Sequence, residues 1–297
     1  MKNIGSALAF GIFLLTAGAA QEFTLKVTSD LVLLDVSVKN SKGGYVGGLL
    51  RESFQVYEGG KLQTITHFSH DDVPVTVGLV IDTSGSMSAK YNQVVTAALV
   101  FIAASNPNDE MFVVNFNDSV TQGLPPTLPF TDDINKLRAA LSMGKPEGRT
   151  ALYDAIVLAL NHLEKGKRDK KTLVLVSDGG DNHSSHTLDD VKRIVEQSRA
   201  TIYTIGLLDE DDKDQNPGVL RQLSGISGGE TYLPQETSEV LGICRQVAGD
   251  IRARYTVGYV PPKSDAHGTL RKIKVAASQP DGHKLIVHAR TSYLVPQ

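Results

Sequence analysis

Hydrophobic and polar positions follow two different patterns along this chain. Between residues 75 and 252, short apolar runs alternate with longer segments whose apolar residues recur every three or four positions, which predicts alternating strands and helices. The predicted strands are 75–81, 111–116, 120–124, 173–177, 200–207 and 230–233, and the predicted helices are 91–104, 134–143, 151–165, 188–198, 218–227 and 238–252. This alternation is typical of a doubly wound α/β fold, in which helices flank a mostly parallel sheet.

The residues on either side of this region alternate apolar and polar positions with a period of two, which predicts β-strands. These strands are expected at 23–28, 31–38, 54–68, 253–260, 270–277 and 284–293, with a hairpin turn at Gly59 and Gly60. We infer that the N- and C-terminal strands pair, so that the α/β domain is inserted into one small β-sandwich. The alternative is two separate β pieces, each of which would be small for an independent unit.

Four segments follow from these patterns. They are a signal peptide at 1–20, an N-terminal β region at 21–73, an α/β domain at 74–250 and a C-terminal β region at 251–297 that packs with 21–73. Residues 1–20 have one early positive charge, an apolar middle and a small-residue end, which is typical of a secretory signal cleaved after Ala19 or Ala20. A retained membrane anchor is the alternative, although the apolar stretch is short for a span. We therefore expect export to the periplasm, the cell surface or the medium, without a stable membrane span after cleavage.

Composition narrows the possible partners. The chain has 297 residues, of which 21% are charged and 41% hydrophobic, and a net charge of −3, which is ordinary for a globular protein. Nucleic-acid binding is not expected, because there is no long basic run. Cys244 is the single cysteine, so the monomer can form no internal disulfide, which fits bacterial export better than an animal extracellular matrix. Its position in a helical pattern predicts a core residue rather than a nucleophile.

Oxygen-bearing side chains follow two of the predicted strands and precede one predicted helix. Asp82, Ser84 and Ser86 come directly after the first strand of the α/β region, Thr150 precedes the third helix, and Asp178 follows the fourth strand. In open α/β sheets, ligands bind beyond the carboxyl ends of the strands, so we expect these side chains to meet. Carboxylate and hydroxyl oxygens are ligands that hard divalent cations prefer. The interpretation is a metal site, and the alternative is a set of ordinary caps and turns.

This set of residues resembles the metal site of the von Willebrand factor type A domain. The shared motifs are Asp-x-Ser-x-Ser at 82–86, a distant threonine at 150 and Ser-Asp-Gly at 177–179, and the resemblance covers 74–250. In that family five side chains form a metal-ion-dependent adhesion site. The resemblance implies one bound divalent cation, Mg2+ first and Mn2+ or Ca2+ as alternatives, on Asp82, Ser84, Ser86, Thr150 and Asp178. At least one of the two acids usually reaches the metal through water in that family, and the sequence leaves open which acid does so.

Segments outside the α/β region carry a second resemblance. They resemble exported von Willebrand factor A-related proteins of Acidobacteria at 54–58, 65–68, 255–259 and 271–275. These segments are less specific than the metal motif.

The first resemblance implies a non-catalytic, metal-dependent protein-binding module that serves in adhesion or interaction. A partner protein would supply an Asp or Glu to the cation, because two carboxylates roughly neutralise a dication and leave it open to another ligand. One alternative is a metal-dependent hydrolase with His183 or Asp181 as the general base. The other is a scaffold or assembly protein with an idle metal site.

Three further groups are weaker candidates. The acidic run at 209–214 favours a solvated loop, although it could tune the electrostatics of the site. His183 and His186 have a spacing that zinc can use, but no third ligand lies nearby in sequence, so we favour a loop. Asn115 and Asn117 could order water around the ion.

Overall fold

The computed structural model describes residues 31–209, 213–262, 268–279 and 282–295. Its strands are β1 (Val32–Asn40), β2 (Phe54–Glu58), β3 (Lys61–Gln63), β4 (Ile65–Ser69), β5 (Val75–Asp82), β6 (Glu110–Phe116), β7 (Val120–Gln122), β8 (Lys170–Ser177), β9 (Thr201–Gly206), β10 (Thr231–Tyr232), β11 (Tyr255–Tyr259), β12 (Leu270–Ala277), β13 (Leu285–His288) and β14 (Ser292–Leu294). Its helices are α1 (Tyr91–Ala104), α2 (Ile134–Leu141), α3 (Leu152–Leu163), α4 (Leu188–Gln197), α5 (Pro217–Ser227) and α6 (Val240–Arg252). The predicted signal peptide and the predicted strand at 23–28 lie outside the described residues.

Six strands form one mixed sheet in the order β10-β9-β8-β5-β6-β7. All neighbours are parallel except β6 and β7, which are antiparallel. Every residue of the central strand β5 is buried, which explains its almost unbroken apolar sequence. Gly78 of this strand makes room for two neighbours, because a Cβ there would lie 2.5 Å from the side chains of Phe112 and Leu173. With helices flanking this sheet, the predicted α/β fold class is confirmed.

Three of the helices in this domain begin with a side-chain cap. Asp133 caps α2, Thr187 caps α4 within a capping box, and Asn216 caps α5 just before Pro217. Helix α3 differs, because Ala151 at its N-cap position has no side chain that can accept a hydrogen bond. The free N–H groups at the start of α3 therefore need partners from elsewhere in the chain.

The remaining strands form two antiparallel sheets, in the orders β13-β1-β11-β4 and β14-β12-β2-β3. N- and C-terminal strands are interleaved, since β11 lies between β1 and β4 while β12 pairs with β2. Both sheets contribute to one apolar core that includes Val36, Val56, Tyr255, Val257 and Ile273. The predicted pairing of terminal strands is confirmed, and the α/β region enters after β4 and leaves before β11. The exact segment boundaries at 73/74 and 250/251 stay predictions.

Two segments switch between these sheets, which the alternation of their residues does not reveal. The predicted hairpin at 54–68 is confirmed for β2 and β3, which join at Gly59 and Gly60 with φ of 55° and 80°, but β4 pairs with β11 in the other sheet. The single strand predicted at 284–293 is wrong, because β13 and β14 belong to different sheets. Between them, buried Arg290 donates to the main-chain oxygens of Val195 and Ala200, 3.4 Å away in each case, and this anchors the chain at the point where it changes sheet.

A buried polar network joins the sandwich to the α/β domain. Asp250, near the end of α6, accepts hydrogen bonds from the hydroxyls of Ser37 in β1 and Tyr203 in β9. The buried Arg254 donates to the Tyr203 hydroxyl at 2.9 Å and to the main-chain oxygen of Asp35 at 3.3 Å. Because buried charges are costly without such partners, this network strongly favours one arrangement of α6 against both layers.

Cys244 is buried in the core on α6. Burial raises the pKa of its thiol to about 12, which makes it unreactive at neutral pH, as expected for a core residue. Within the described part of the chain, no helix combines the length and apolar character needed to cross a membrane.

Candidate metal centre

The first loop of the candidate site begins where β5 ends. Asp82 is the last residue of this strand and is fully buried. Its Oδ1 accepts the backbone N–H of Ser84 at 2.9 Å, and its Oδ2 accepts the Ser177 hydroxyl at 2.6 Å. The side chains of Ser84 and Ser86 lie next to each other, with 3.1 Å between their Oγ atoms. The end of β5 and the adjacent end of β8 therefore hold the Asp82 carboxylate in place, next to the hydroxyls of Ser84 and Ser86.

The second loop brings Asp178 to the same place. Asp178 directly follows β8, which is the parallel neighbour of β5, and it is 4% exposed. Its Oδ2 accepts the Ser86 hydroxyl at 2.8 Å, and its Oδ1 accepts the backbone N–H of Gly180 at 2.9 Å. Gly179 has φ of 84° and a Cβ there would lie 2.4 Å from the main-chain oxygen of Asn216, so the turn needs glycine. Side chains from two strand ends are thus in direct contact.

The third loop holds Thr150 between the other two. The backbone N–H of Gly85 donates to the main-chain oxygen of Gly148 at 3.1 Å, which joins this loop to the first one. The backbone N–H of Thr150 donates to Oδ1 of Asn182 at 2.9 Å, and the Asn182 N–H donates to the Thr150 oxygen at 3.0 Å. Thr150 is 7% exposed, and its hydroxyl makes no hydrogen bond within the described part of the chain. That hydroxyl therefore has no protein partner there.

The two carboxylates form an uncompensated pair of buried acids. Burial raises the pKa of Asp82 to about 6, the hydrogen bonds from Ser177 and Ser84 oppose this, and repulsion from Asp178 adds to it. Over the described ranges, neither Asp82 nor Asp178 forms an ion pair with a Lys, Arg or His side chain. A cation from outside the chain would remove the repulsion and satisfy both groups.

The donor atoms identify the kind of cation that fits. Two carboxylates and three hydroxyls offer oxygen only, which suits hard ions such as Mg2+, Mn2+ and Ca2+. No group of three or more His, Cys, Asp and Glu residues that could hold a metal exists among the described residues. The candidate centre contains only two such residues, Asp82 and Asp178, and its remaining ligands would be hydroxyls, so it is not a group of that kind. The residues present therefore fit a divalent oxygen-seeking cation and do not resemble a thiolate or imidazole zinc site.

Other candidates from the sequence have different partners. The ring Nδ1 of His186 lies 2.6 Å from Oδ1 of Asp154, whereas Nε2 of His183 lies 3.5 Å from Nη2 of Arg149, so the two rings are engaged separately. The Asn115 amide donates to the main-chain oxygen of Ala140 at 2.9 Å and is thereby fixed to α2. These contacts support structural roles for both histidines and for Asn115.

Two further groups stabilise loops near the site. Asn117 accepts the N–H of Ser119 at 3.1 Å through its side-chain oxygen, which shapes the turn between β6 and β7. At the start of the acidic run, the main-chain oxygens of Leu207 and Leu208 accept hydrogen bonds from Lys90, whose Nζ lies 3.8 Å from Asp209. Residues 210–212 of the run lie outside the described residues. Lys90 therefore fixes the point at which the acidic loop leaves the sheet.

The arrangement offers little to a hydrolase. The hydroxyl of Ser185 donates to Asp154, which also binds His186, so hydroxyl and imidazole share one carboxylate instead of contacting each other. Residues 225–229 match the Gly-x-Ser-x-Gly pattern of a nucleophile elbow. Ser227, however, ends helix α5, and its hydroxyl donates to the oxygen of Ser224 and accepts the N–H of Ile202. A nucleophile elbow needs a strand-to-helix turn, so this serine has a structural role.

Two residues that organise the site are not among the five predicted site residues. Ser177 orients Asp82, and Asn182 hydrogen-bonds both the backbone N–H and the main-chain oxygen of Thr150. Ser177 directly precedes Asp178 in the motif and could have been found by its position at the strand end. Asn182 carries no comparable signal, because its role depends on the distance between two loops.

Comparison with known proteins supports the fold and the domain type. A family model of the von Willebrand factor type A domain matches residues 77–180. The inter-alpha-trypsin inhibitor heavy chain H4 of Homo sapiens is 26% identical over 147 residues, which are 45% of this chain and 16% of that protein. An uncharacterized protein of Synechocystis is 25% identical over 187 residues, which are 59% of this chain and 41% of that one. The chain thus spans less than half the length of these relatives.

Solved structures share the architecture at low sequence identity. A von Willebrand factor type A protein from Catenulispora acidiphila has a TM-score of 0.54 at 15% identity, covering 91% of this chain and 75% of its own. Proximal thread matrix protein 1 from the mussel byssus, with a zinc-occupied MIDAS motif, has a TM-score of 0.50 at 14% identity, covering 67% and 50%. The PilB minor pilin from Streptococcus sanguinis has a TM-score of 0.51 at 12% identity, covering 74% and 78%. At these identities the likeness establishes the fold alone.

Residues 77–180 therefore match the von Willebrand factor type A domain, and the six-stranded sheet with its flanking helices has the fold of that domain.

Proposed function

We propose that this protein is a non-catalytic, metal-dependent binding module whose five site residues hold one divalent cation. Those residues are Asp82, Ser84, Ser86, Thr150 and Asp178. The observation that carries the proposal is the pair of buried carboxylates at the ends of neighbouring strands, without an ion-paired cation in the described part of the chain. Von Willebrand factor type A domains are in general adhesion and interaction modules rather than enzymes, which agrees with this proposal.

The chemistry of the donor set supports a bridging role. Two carboxylates balance the charge of a dication, while the serine and threonine hydroxyls add oxygen donors without adding negative charge. A cation in such a site, Mg2+ first with Mn2+ or Ca2+ as alternatives, keeps its attraction for one more anionic oxygen. The expected partner is therefore a protein that offers an Asp or Glu side chain. Ser177 and Gly180 support this chemistry by orienting Asp82 and Asp178.

Export fits a role in adhesion. The signal-peptide pattern at 1–20 predicts a protein in the periplasm, at the cell surface or in the medium. Proteins with this fold include a minor pilin and a byssus thread matrix protein, whose names describe parts of extracellular structures. The resemblance to exported proteins of Acidobacteria also predicts export and stays a prediction.

Calorimetric titration with Mg2+ and Mn2+ tests the metal site. We expect saturable binding of one ion by the wild type and none by Asp82→Ala. Asp189→Ala is the control, because the Asp189 side chain is 90% exposed and forms its ion pair with Lys192 of the same helix. Equal binding by wild type and Asp82→Ala would overturn the assignment of the site.

Water proton relaxation on the Mn2+-loaded protein tests the open position. An exchangeable water on the ion raises the relaxivity, and N-acetyl-aspartate amide, used as a mimic of a partner's Asp, should lower it by replacing that water. A relaxivity that shows no bound water would mean a closed site and would refute the bridging role.

A further inference from the structure

The start of helix α3 is capped by a separate loop of the metal centre. Ala151 at the N-cap has no hydrogen-bonding side chain, and residues 181–186, here called the capping segment, include the acceptors instead. Asp181 accepts the N–H of Tyr153 at 3.2 Å, and the Ser184 hydroxyl accepts the N–H of Asp154 at 3.1 Å. The capping segment thus satisfies N–H groups that an α-helix leaves free at its first turn.

The contacts also run in the opposite direction. Asp154 of α3 accepts the N–H groups of Ser185 and His186, each at 3.0 Å, and binds the His186 ring. The main-chain oxygen of Thr150 accepts the N–H groups of Asn182 and His183, at 3.0 and 3.1 Å. Because each partner satisfies polar groups of the other, helix start and capping segment form one unit.

Within the capping segment, Asn182 is the residue whose side chain contacts a proposed ligand directly. Its Oδ1 accepts the Thr150 N–H at 2.9 Å, and it lies only four residues after Asp178, whose Oδ1 is fixed by Gly180. The distance between the Thr150 hydroxyl and the Asp178 carboxylate therefore depends on this residue. Asn182 itself is exposed, so its replacement leaves the apolar core untouched.

We propose that Asn182 is a positioning residue of the metal centre, which sets the Thr150 hydroxyl at the correct distance from Asp178. This proposal rests on the proposed function, because it concerns the same cation. Hydrogen-bond partners of metal ligands typically change metal affinity by roughly 10–100-fold when they are removed. Water can partly replace the exposed Asn182 oxygen, so we expect an effect of about tenfold, at the lower end of that range.

Mn2+ titration of the full chain tests the proposal with a double-mutant cycle. Asn182→Ala should weaken Mn2+ binding by about tenfold, whereas in a Thr150→Val background the same change should have no further effect, since the hydroxyl that it positions is gone. Ser185→Ala is the matched control, because it removes a hydrogen bond to Asp154 from the same loop without touching Thr150. Its affinity should remain that of the wild type.

A second readout separates positioning from general loosening. Amide exchange at Thr150 in the metal-free protein should become faster in Asn182→Ala while the thermal midpoint stays close to that of Ser185→Ala. Unchanged Mn2+ affinity in Asn182→Ala would overturn the proposal, as would an equal loss in the presence and absence of the Thr150 hydroxyl. If the wild type binds no Mn2+, the proposed function fails and this role fails with it. If the wild type binds Mn2+ and Asn182→Ala binds it equally well, only the role of Asn182 fails.

Discussion

Replacing Asp82 by Asn should make the metal-free protein more stable and remove its response to metal. Asp82 is fully buried at the end of β5 and its pKa is raised from 3.8 to about 6 by burial, with a further contribution from Asp178. A raised pKa in the folded state means that the folded protein binds this proton more tightly than the unfolded chain does. Ionised Asp82 therefore lowers stability at neutral pH, and this cost disappears as the pH falls from about 6 towards 3.8.

The size of the effect follows from the pKa shift. A difference of about two pH units corresponds to about 3 kcal/mol at neutral pH. Asn has nearly the same shape and no charge, but it gives the Ser177 hydroxyl a poorer acceptor, and losing one such hydrogen bond costs about 1 kcal/mol. The net gain is about 2 kcal/mol, which raises the thermal midpoint by roughly 4–8 °C in a domain of this size.

Thermal unfolding with a chelator, at neutral pH and near pH 3.8, measures this gain. We expect Asp82→Asn to unfold at a higher temperature than the wild type at neutral pH, and this advantage to be lost at the acidic pH, where only the cost of the poorer acceptor remains. Added Mg2+ should raise the midpoint of the wild type but not that of Asp82→Asn. Asp109→Asn is the control, because Asp109 is also buried with a pKa of about 6 but precedes β6, at the opposite end of the sheet, so its response to Mg2+ should persist.

Two results would refute this reasoning. A lower midpoint for Asp82→Asn in chelator at neutral pH would mean that the carboxylate is stabilised by partners other than a metal. A gain of the same size at both pH values would mean that its ionisation is not the cause.

Three further predictions concern the same site and its support. Mn2+ affinity should fall as the pH drops through about 6, because protonation of Asp82 competes with the ion, and equal affinities on both sides of that pH in a titration series would contradict this. Thr150→Val should weaken Mn2+ binding and leave the metal-free midpoint unchanged, since the lost hydroxyl has no hydrogen-bond partner among the described residues. Asp250→Ala should cost at least about 2 kcal/mol in urea unfolding, because the hydroxyls of Ser37 and Tyr203 lose their acceptor, whereas Mn2+ affinity should match the wild type.

Part of the candidate site could be predicted because its residues follow the ends of strands. Asp82 ends β5 and Asp178 directly follows its parallel neighbour β8, so their shared location follows from the order of elements and the direction of the chain. The position of Thr150 could not be derived in this way. It is held by Asn182, on a loop 32 residues away, and no local pattern encodes that contact.

Local patterns by themselves determined the elements and the class of fold. The apolar run of β5 specifies a strand buried on both faces, and the recurring helical segments between strands specify a mostly parallel sheet. Neighbouring residues carry this information, because hydrophobic periodicity acts within single elements.

Only the tertiary structure decided which elements are partners. Alternation continues from β13 to β14, yet the two strands lie in different sheets because buried Arg290 binds main-chain oxygens of the α/β domain between them. Helix α3 has no cap of its own and begins where it does because a distant loop satisfies its N–H groups. In both cases the deciding interaction joins residues far apart in sequence, so its energy exists only after the chain has folded.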